Sequence, residues 1–203
     1  MCRHGFRPPM MHDQDVELFT PAEAAGLSGL TLKTVNNAID KKTVAAHIER
    51  RDGRTVRLLD KSAIVYLWLQ SRLAGNATAE FRRRLFAAIA AAPMRRFVSI
   101  GYLKLDLREP RREVSARIRE LRRATRMVVS DPEILGGTPV FRKTCIPVHH
   151  IAYQLQQGAP VDGLRESYPR LTDDMIRLAP IYSAAHPPRG RPRKRPWRVL
   201  PKE

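Results

Sequence analysis

The chain has 203 residues and carries 37 Lys and Arg against 20 Asp and Glu, a formal net charge of +17 at pH 7. At 43% hydrophobic it is ordinary for a soluble protein, and it is long enough for one domain or two small ones. No run approaches the ~20 apolar residues of a membrane span, the first twenty residues hold no apolar core of a secretory signal, and two distant cysteines, Cys2 and Cys145, form neither a disulfide framework nor a zinc spacing. A cytoplasmic protein without metal or cofactor is expected.

The charge is unevenly placed. Residues 1–77 carry a net +3, residues 78–126 a net +9, residues 127–186 a net −1 and residues 187–203 a net +6. The positive field belongs to the middle of the chain and to its tail. Such a field attracts nucleic acid, an anionic membrane or an acidic protein surface, and charge alone does not choose among them.

Residues 1–15 are polar, include Pro8-Pro9 and read as a disordered lead-in. The segment 16–77 then has a clear rhythm. Thr20-Pro21-Ala22-Glu23 is a capping box that opens a short helix through Ala25, with Gly26 as its end. Ser28 or Thr31 caps a second helix to Asp40, with Leu32, Val35 and Ile39 on one face. Apolar alternations at Val44–Ile48 and Thr55–Leu59 flank Arg51-Asp52-Gly53-Arg54, a strong hairpin signal. Asp60 caps a third helix that buries Ile64, Leu67, Trp68 and Leu73.

Helix, helix, hairpin, helix is the order of a winged helix-turn-helix. With its Thr20-Pro21-x-Glu23-Ala24-Ala25 start, the segment resembles the DNA-binding domain of MerR-like regulators. The resemblance implies that the second helix enters the major groove with Thr31, Lys33, Thr34, Asn36, Asn37 and Lys41. Asn bonds bidentately to adenine, and Lys and Thr reach base edges or phosphate. Arg51, Arg54 and Arg57 on the wing would lie near the DNA backbone, where positive charge releases counterions. The alternative is a merely solvated helix face.

Residues 78–127 read as a basic helix-strand-helix region. Thr78 caps a helix over Ala79–Ala92 with Phe81, Leu85 and Ile89 as its stripe, stopped by Pro93. Alternation over Arg96–Leu107 predicts one strand, pairing with a second at Met127–Val129. Between them Glu109-Pro110 opens a helix to Arg126. Its stripe is Val114, Ile118 and Leu121, and its other faces hold Arg111, Arg112, Arg117, Arg119, Arg122, Arg123 and Arg126. So narrow a stripe suggests a homodimer through this region, which also suits paired DNA half-sites.

Residues 128–186 open on the most specified stretch of the chain, Asp131-Pro-Glu-Ile-Leu-Gly-Gly-Thr-Pro-Val-Phe-Arg-Lys-Thr-Cys-Ile-Pro-Val148. Three prolines and Gly136-Gly137 fix its backbone path. It predicts a turn, a strand at Pro139–Phe141, a second turn, and a helix from near Pro147, where proline suits the first turn. Helices over Pro147–Gln157, Val161–Ser167 and Thr172–Ala185 follow, the last with Pro180 inside it. They bury Ile151 and Leu155, Leu164, and Met175, Ile176, Leu178 and Ile181, and look like a second, near-neutral helix-turn-helix bundle. The expected fold class is mostly α with a small β component.

The stretch resembles the signature of the domain-of-unknown-function family 433, D-P-x-I-x-G-G-x-P-V-I/F-x-G-T-R-I/V-P-V. The likeness continues through Gly158, Tyr168-Pro169 and Leu171-Thr172-Asp173-Asp174-Met175-Ile176, roughly Val128 to Ala185. Lys143 stands where that family usually has Gly, and Cys145 where it usually has Arg. The resemblance implies an antitoxin of the VapBC type, a VapB-like repressor of its own operon whose partner toxin is a PIN-like ribonuclease.

Residues 187–203 hold too little apolar content to fold alone. The Pro188-Arg189-Gly190-Arg191-Pro192 core resembles an AT-hook, which lays arginines in a narrow minor groove. The antitoxin resemblance implies instead that Arg189, Arg191, Arg193, Lys194, Arg195 and Trp197 bind the carboxylate-built site of the toxin, where a bidentate arginine is the strong complement. A solvated tail is the third possibility.

No catalytic constellation is evident, so no enzyme is expected. His149-His150 are adjacent and point to different faces of a helix. Cys145 reads as a small core residue. The expected partners are operator DNA, a PIN-like toxin and a second copy. The competing functions are a stand-alone transcriptional regulator and an architectural DNA-binding protein that uses its tail.

Overall fold

The computed structural model describes residues 17–51, 53–73 and 77–188. They divide into two compact units, one up to Ile118 and one from Arg119, with the boundary inside a long helix. The described chain is mostly helical, with three two-stranded antiparallel sheets.

The first unit begins at the capping box. The Thr20 side chain accepts from the Glu23 amide at 3.3 Å, and the Glu23 carboxylate accepts from the Thr20 amide at 2.8 Å. Helix α1 (Pro21–Ser28) runs past Gly26, where it was expected to end. Glycine inside a helix costs only about 1 kcal/mol relative to alanine, and burial of Leu27 and Ser28 outweighs it. The chain stops instead at Gly29, whose φ of 75° is the left-handed cap that a glycine enters without strain. Thr31 caps helix α2 (Leu32–Asp40), accepting from the Thr34 amide at 3.2 Å. Its buried residues are Val35 and Ala38; Leu32 is 41% exposed, not inward as expected.

Strands β1 (His47–Arg51) and β2 (Arg54–Leu58) pair with Arg51 opposite Arg54, and Gly53 in the connection takes φ 72°. Phe19, before α1, exchanges both backbone hydrogen bonds with Leu59 at 2.8 Å and so ties the start of the unit to the end of the hairpin. Asp60 caps helix α3 (Lys61–Gln70), accepting from Ala63 N at 2.8 Å. Residues Ala63 to Leu69 of α3 are all buried, which makes it the central helix of the unit. Helix α1 packs on it and on α2, and helix α4 (Ala79–Ala91) packs on it as well. Leu73, expected in this core, is 39% exposed.

The alternating segment 96–107 is a hairpin and not one strand. Strand β3 (Phe97–Ile100) turns through Gly101 and Tyr102 into β4 (Leu103–Asp106), with Val98 opposite Leu105. Gly101 has φ 59°. The parity of the apolar positions changes at this glycine, from Val98 and Ile100 to Leu103 and Leu105. A continuous strand would send the second pair to the opposite face. Helix α5 (Arg108–Arg126) follows, with Val114, Ile118, Leu121 and Ala124 buried.

In the second unit, β5 (Val128–Val129) pairs with β6 (Val140–Phe141), and not with the 96–107 segment as expected. Long apolar contact drives the unit. Phe141, Val148, Ile151, Leu164, Leu171, Ile176, Leu178 and Tyr182 share one core with Ala124 and Val128. Helix α6 (Val148–Gln156) starts one residue after Pro147, which is its N-cap, and packs mainly on α8 (Asp173–Ala185). Helix α7 (Val161–Ser167) leans on α8 as well. Thr172 caps α8, Asp173 and Asp174 stand in its positive first turn, and the helix runs through Pro180.

Candidate nucleic-acid interface and the signature loop

Helix α2 presents a polar face beside the β1–β2 hairpin. Lys33, Asn37 and Lys41 are exposed and lie at i, i+4 and i+8, one stripe of the helix. Thr31 and Thr34 are occupied with each other: their hydroxyls are 2.8 Å apart, and Thr31 also caps the helix. Asn36 is half-buried. Its Oδ1 accepts from Nη2 of Arg57 at 3.0 Å, while Nη1 of Arg57 donates to Asp40 Oδ1 at 2.7 Å.

The three hairpin arginines grouped by the sequence therefore separate. Arg54 and Arg57 are three apart on one strand and fall on opposite faces. Arg57 turns onto α2, whereas Arg54 is exposed near the tip. Of Arg51 the structure describes the backbone, in β1 opposite Arg54. Arg50 was not singled out in the sequence because the strand was drawn to end at Ile48. It is exposed, pairs with Thr55 and shares the face of Arg57. The alternation Ile48, Arg50 was the signal available. Arg189, Arg191, Arg193, Lys194, Arg195 and Trp197 lie outside the described residues.

The arginine-rich helix α5 is less open than its composition suggests. Arg111 donates to the backbone carbonyls of Ala92, at 2.9 Å, and Arg95. Arg117 donates to Leu27 O at 3.1 Å, at the negative end of α1. In the second unit Arg123 pairs with Asp174, and Arg177 bridges Asp174 at 3.3 Å and Glu120 at 2.9 Å. Arg165 holds Asp173 at 2.6 Å. Several arginines that looked like free positive field are thus structural donors or internal neutralisers.

The signature loop of the second unit is held by its own polar groups. Asp131 O accepts from the amides of Ile134 and Gly137 at 2.9 and 3.1 Å, and its carboxylate accepts from Glu133 N at 3.0 Å. Thr144 is buried; its hydroxyl donates to Phe141 O at 2.8 Å and accepts from Ile146 N at 3.1 Å. That clamp closes a turn in which Lys143 has φ 64°. Cys145 is exposed and not the core residue expected, since Thr144 takes the inward place in the turn. Leu135, also at positive φ, is 56% exposed.

The adjacent histidines part as helix geometry requires. His150 is exposed, with Nε2 2.9 Å from the Tyr168 hydroxyl. His149 is half-buried, with Nδ1 2.9 Å from Ser183 Oγ. Burial first, and the neighbouring His186 second, hold the His149 imidazole below its ordinary pKa. In the first unit, burial pushes the Tyr66 phenol up to about 12. Among the described residues no group of three or more His, Cys, Asp or Glu is arranged to hold a metal ion, and no helix is long and apolar enough to cross a membrane.

Fold and surface thus define a mostly helical protein of two units, a helix-helix-hairpin-helix unit and a helical unit built on a polar-stapled hairpin. The family model described as "Protein of unknown function (DUF433)" matches residues 128–183, from β5 into α8. The "Uncharacterized protein y4eO" of Sinorhizobium fredii is 34% identical over 193 residues, 87% of this chain and 85% of that one. The likeness therefore spans both units, and the chain belongs to the DUF433 family. A crystal structure of Rv2018 from Mycobacterium tuberculosis, 18% identical, covers 79% of this chain and 96% of its own at a TM-score of 0.34, too loose a superposition to support a conclusion.

Proposed function

We propose that this protein is a DNA-binding antitoxin: a winged helix-turn-helix unit that reads operator DNA, joined to a DUF433 unit and basic tail that hold a PIN-like ribonuclease toxin. The observation that carries the DNA reading is the polar stripe Lys33–Asn37–Lys41 on α2, next to a hairpin that exposes Arg50 and Arg54, one on each face. A helix of this kind in the major groove brings amide and ammonium groups to base edges, while the hairpin arginines meet phosphates. The toxin reading rests on the signature Asp131–Val148 and its family, and on the positive tail as complement to a carboxylate-built site. Two copies on paired half-sites complete the proposal.

Selection of bound DNA from a random pool tests the first part. The full-length chain is expected to enrich a paired motif, and Lys33→Ala with Asn37→Ala to lose it; no enrichment by the wild type refutes the DNA reading. Co-expression with an adjacent ribonuclease-like reading frame tests the second. The neighbour should be toxic alone and harmless in a complex with this chain. A non-toxic neighbour, or one still toxic with no complex formed, refutes the antitoxin reading.

A further inference from the structure

Arg57 of β2 is held by side chains of α2. Its guanidinium leaves β2 and bridges two side chains of α2 one turn apart, Asn36 at 3.0 Å and Asp40 at 2.7 Å. A guanidinium has donors and no acceptor, so the Asn36 carboxamide must turn its oxygen toward Arg57. The NH2 group then occupies the other arm of the planar amide. Asp40 holds the guanidinium in place from the next turn, and the pair is half-exposed, with side chains 38% and 62% accessible.

We infer that Arg57 is a positioning residue that sets the amide of Asn36 as a donor, so that this position of α2 reads the paired acceptors of guanine in preference to adenine. The inference rests on the DNA reading proposed above. Bidentate recognition of adenine needs the amide oxygen to accept from N6 and the NH2 to donate to N7. An amide oxygen has two lone pairs; Arg57 takes one, and its cationic guanidinium 3.0 Å away disfavours a second donor at the other, so the NH2 is the group left to lead the contact. Major-groove acceptors are N7 and O6 of guanine, N7 of adenine and O4 of thymine, while cytosine offers only its N4 donor. Guanine, with two acceptors, becomes the preferred base and cytosine the least favoured one.

The test is the base preference of the full-length chain at each motif position, with the thermal midpoint and the salt dependence of binding measured alongside. In the wild type, cytosine at the contacted position is expected to weaken binding about tenfold. Arg57→Met frees the amide to flip, and adenine at that position should then bind as well as or better than guanine. Because this is a gained preference, general destabilisation does not imitate it. Asn36→Asp keeps an acceptor for Arg57 and presents an oxygen where the NH2 was; it should shift the preference to cytosine, whose N4 donates. It also decides the question if the Met variant does not fold. The inference is overturned if Arg57→Met weakens all sequences equally and lowers the salt slope by about one, the signature of a phosphate contact. It is likewise overturned if Asn36→Asp leaves the preference profile unchanged. A wild type with no sequence preference refutes the DNA reading itself, a distinguishable result.

Discussion

Replacing Lys143 with glycine should stabilise the second unit. Lys143 holds φ at 64° in the turn clamped by Thr144, in the left-handed region where a Cβ collides with the following carbonyl. For an L-residue that conformation costs about 1–2 kcal/mol. Glycine removes the cost and loses about 0.4–1 kcal/mol through the greater freedom of its unfolded chain. The Lys143 side chain is exposed, so little packing is forfeited. The net gain is about 0.5–1 kcal/mol, which for a unit of this size raises the thermal midpoint by roughly 2–8 °C. Scanning calorimetry is the assay, since two units need not unfold together. Lys143→Ala is the control, because alanine shortens the side chain and keeps the Cβ. An alanine variant as stable as the glycine variant, or a glycine variant no more stable than wild type, would show that strain at this turn is not what the substitution relieves. The residue departs from the family signature at the place where glycine has a physical reason to be.

Three further outcomes are expected. Thr20→Ala breaks the capping box and should cost the first unit about 1 kcal/mol in chemical denaturation, whereas an unchanged midpoint would deny the cap any role. The Tyr66 hydroxyl is enclosed with no hydrogen-bond partner among the described residues, so Tyr66→Phe should leave stability unchanged or raise it by up to about 1 kcal/mol; a clear loss would reveal a bond the hydroxyl makes. His149 is held neutral by burial, so its folded pKa lies below the ordinary 6.5. The folded state then binds fewer protons than the unfolded one: the stability contributed is complete above pH 6.5 and is lost as pH falls through the depressed value. An NMR titration of the His149 ring should show a midpoint below 6.5, and a midpoint at or above 6.5 would contradict its placement.

Local chemistry decided most helix starts from the sequence. Thr20, Asp60 and Thr78 each cap the helix predicted at that residue, Thr31 caps the one for which Ser28 was the other candidate, and Thr172 caps the helix expected to begin with it, because a side-chain oxygen one residue before a helix satisfies an amide of its first turn whatever the tertiary context. Arg51–Arg54 fixed the hairpin in the same way, through a two-residue turn. The signature Asp131–Val148 was legible as a family mark and as a turn, strand, turn and helix start, since proline and glycine dictate their own backbone angles.

What the sequence did not decide were matters of partner. Whether α1 ended at Gly26 or Gly29 depended on the burial of Leu27 and Ser28, which no propensity records. Val128–Val129 had two apolar stretches to choose from, and the clamp around Thr144 delivered Val140–Phe141 to it. Above all, charge was legible only as a total. Arginines are long and flexible, and composition gives each the same weight. Only packing sent Arg111 and Arg117 to backbone carbonyls and Arg123 to Asp174, and turned Arg57 across to Asn36 and Asp40. Caps and turns are settled by neighbours in the chain, so one strand of text contains them. The destination of a guanidinium is settled by which acceptors folding brings within its reach.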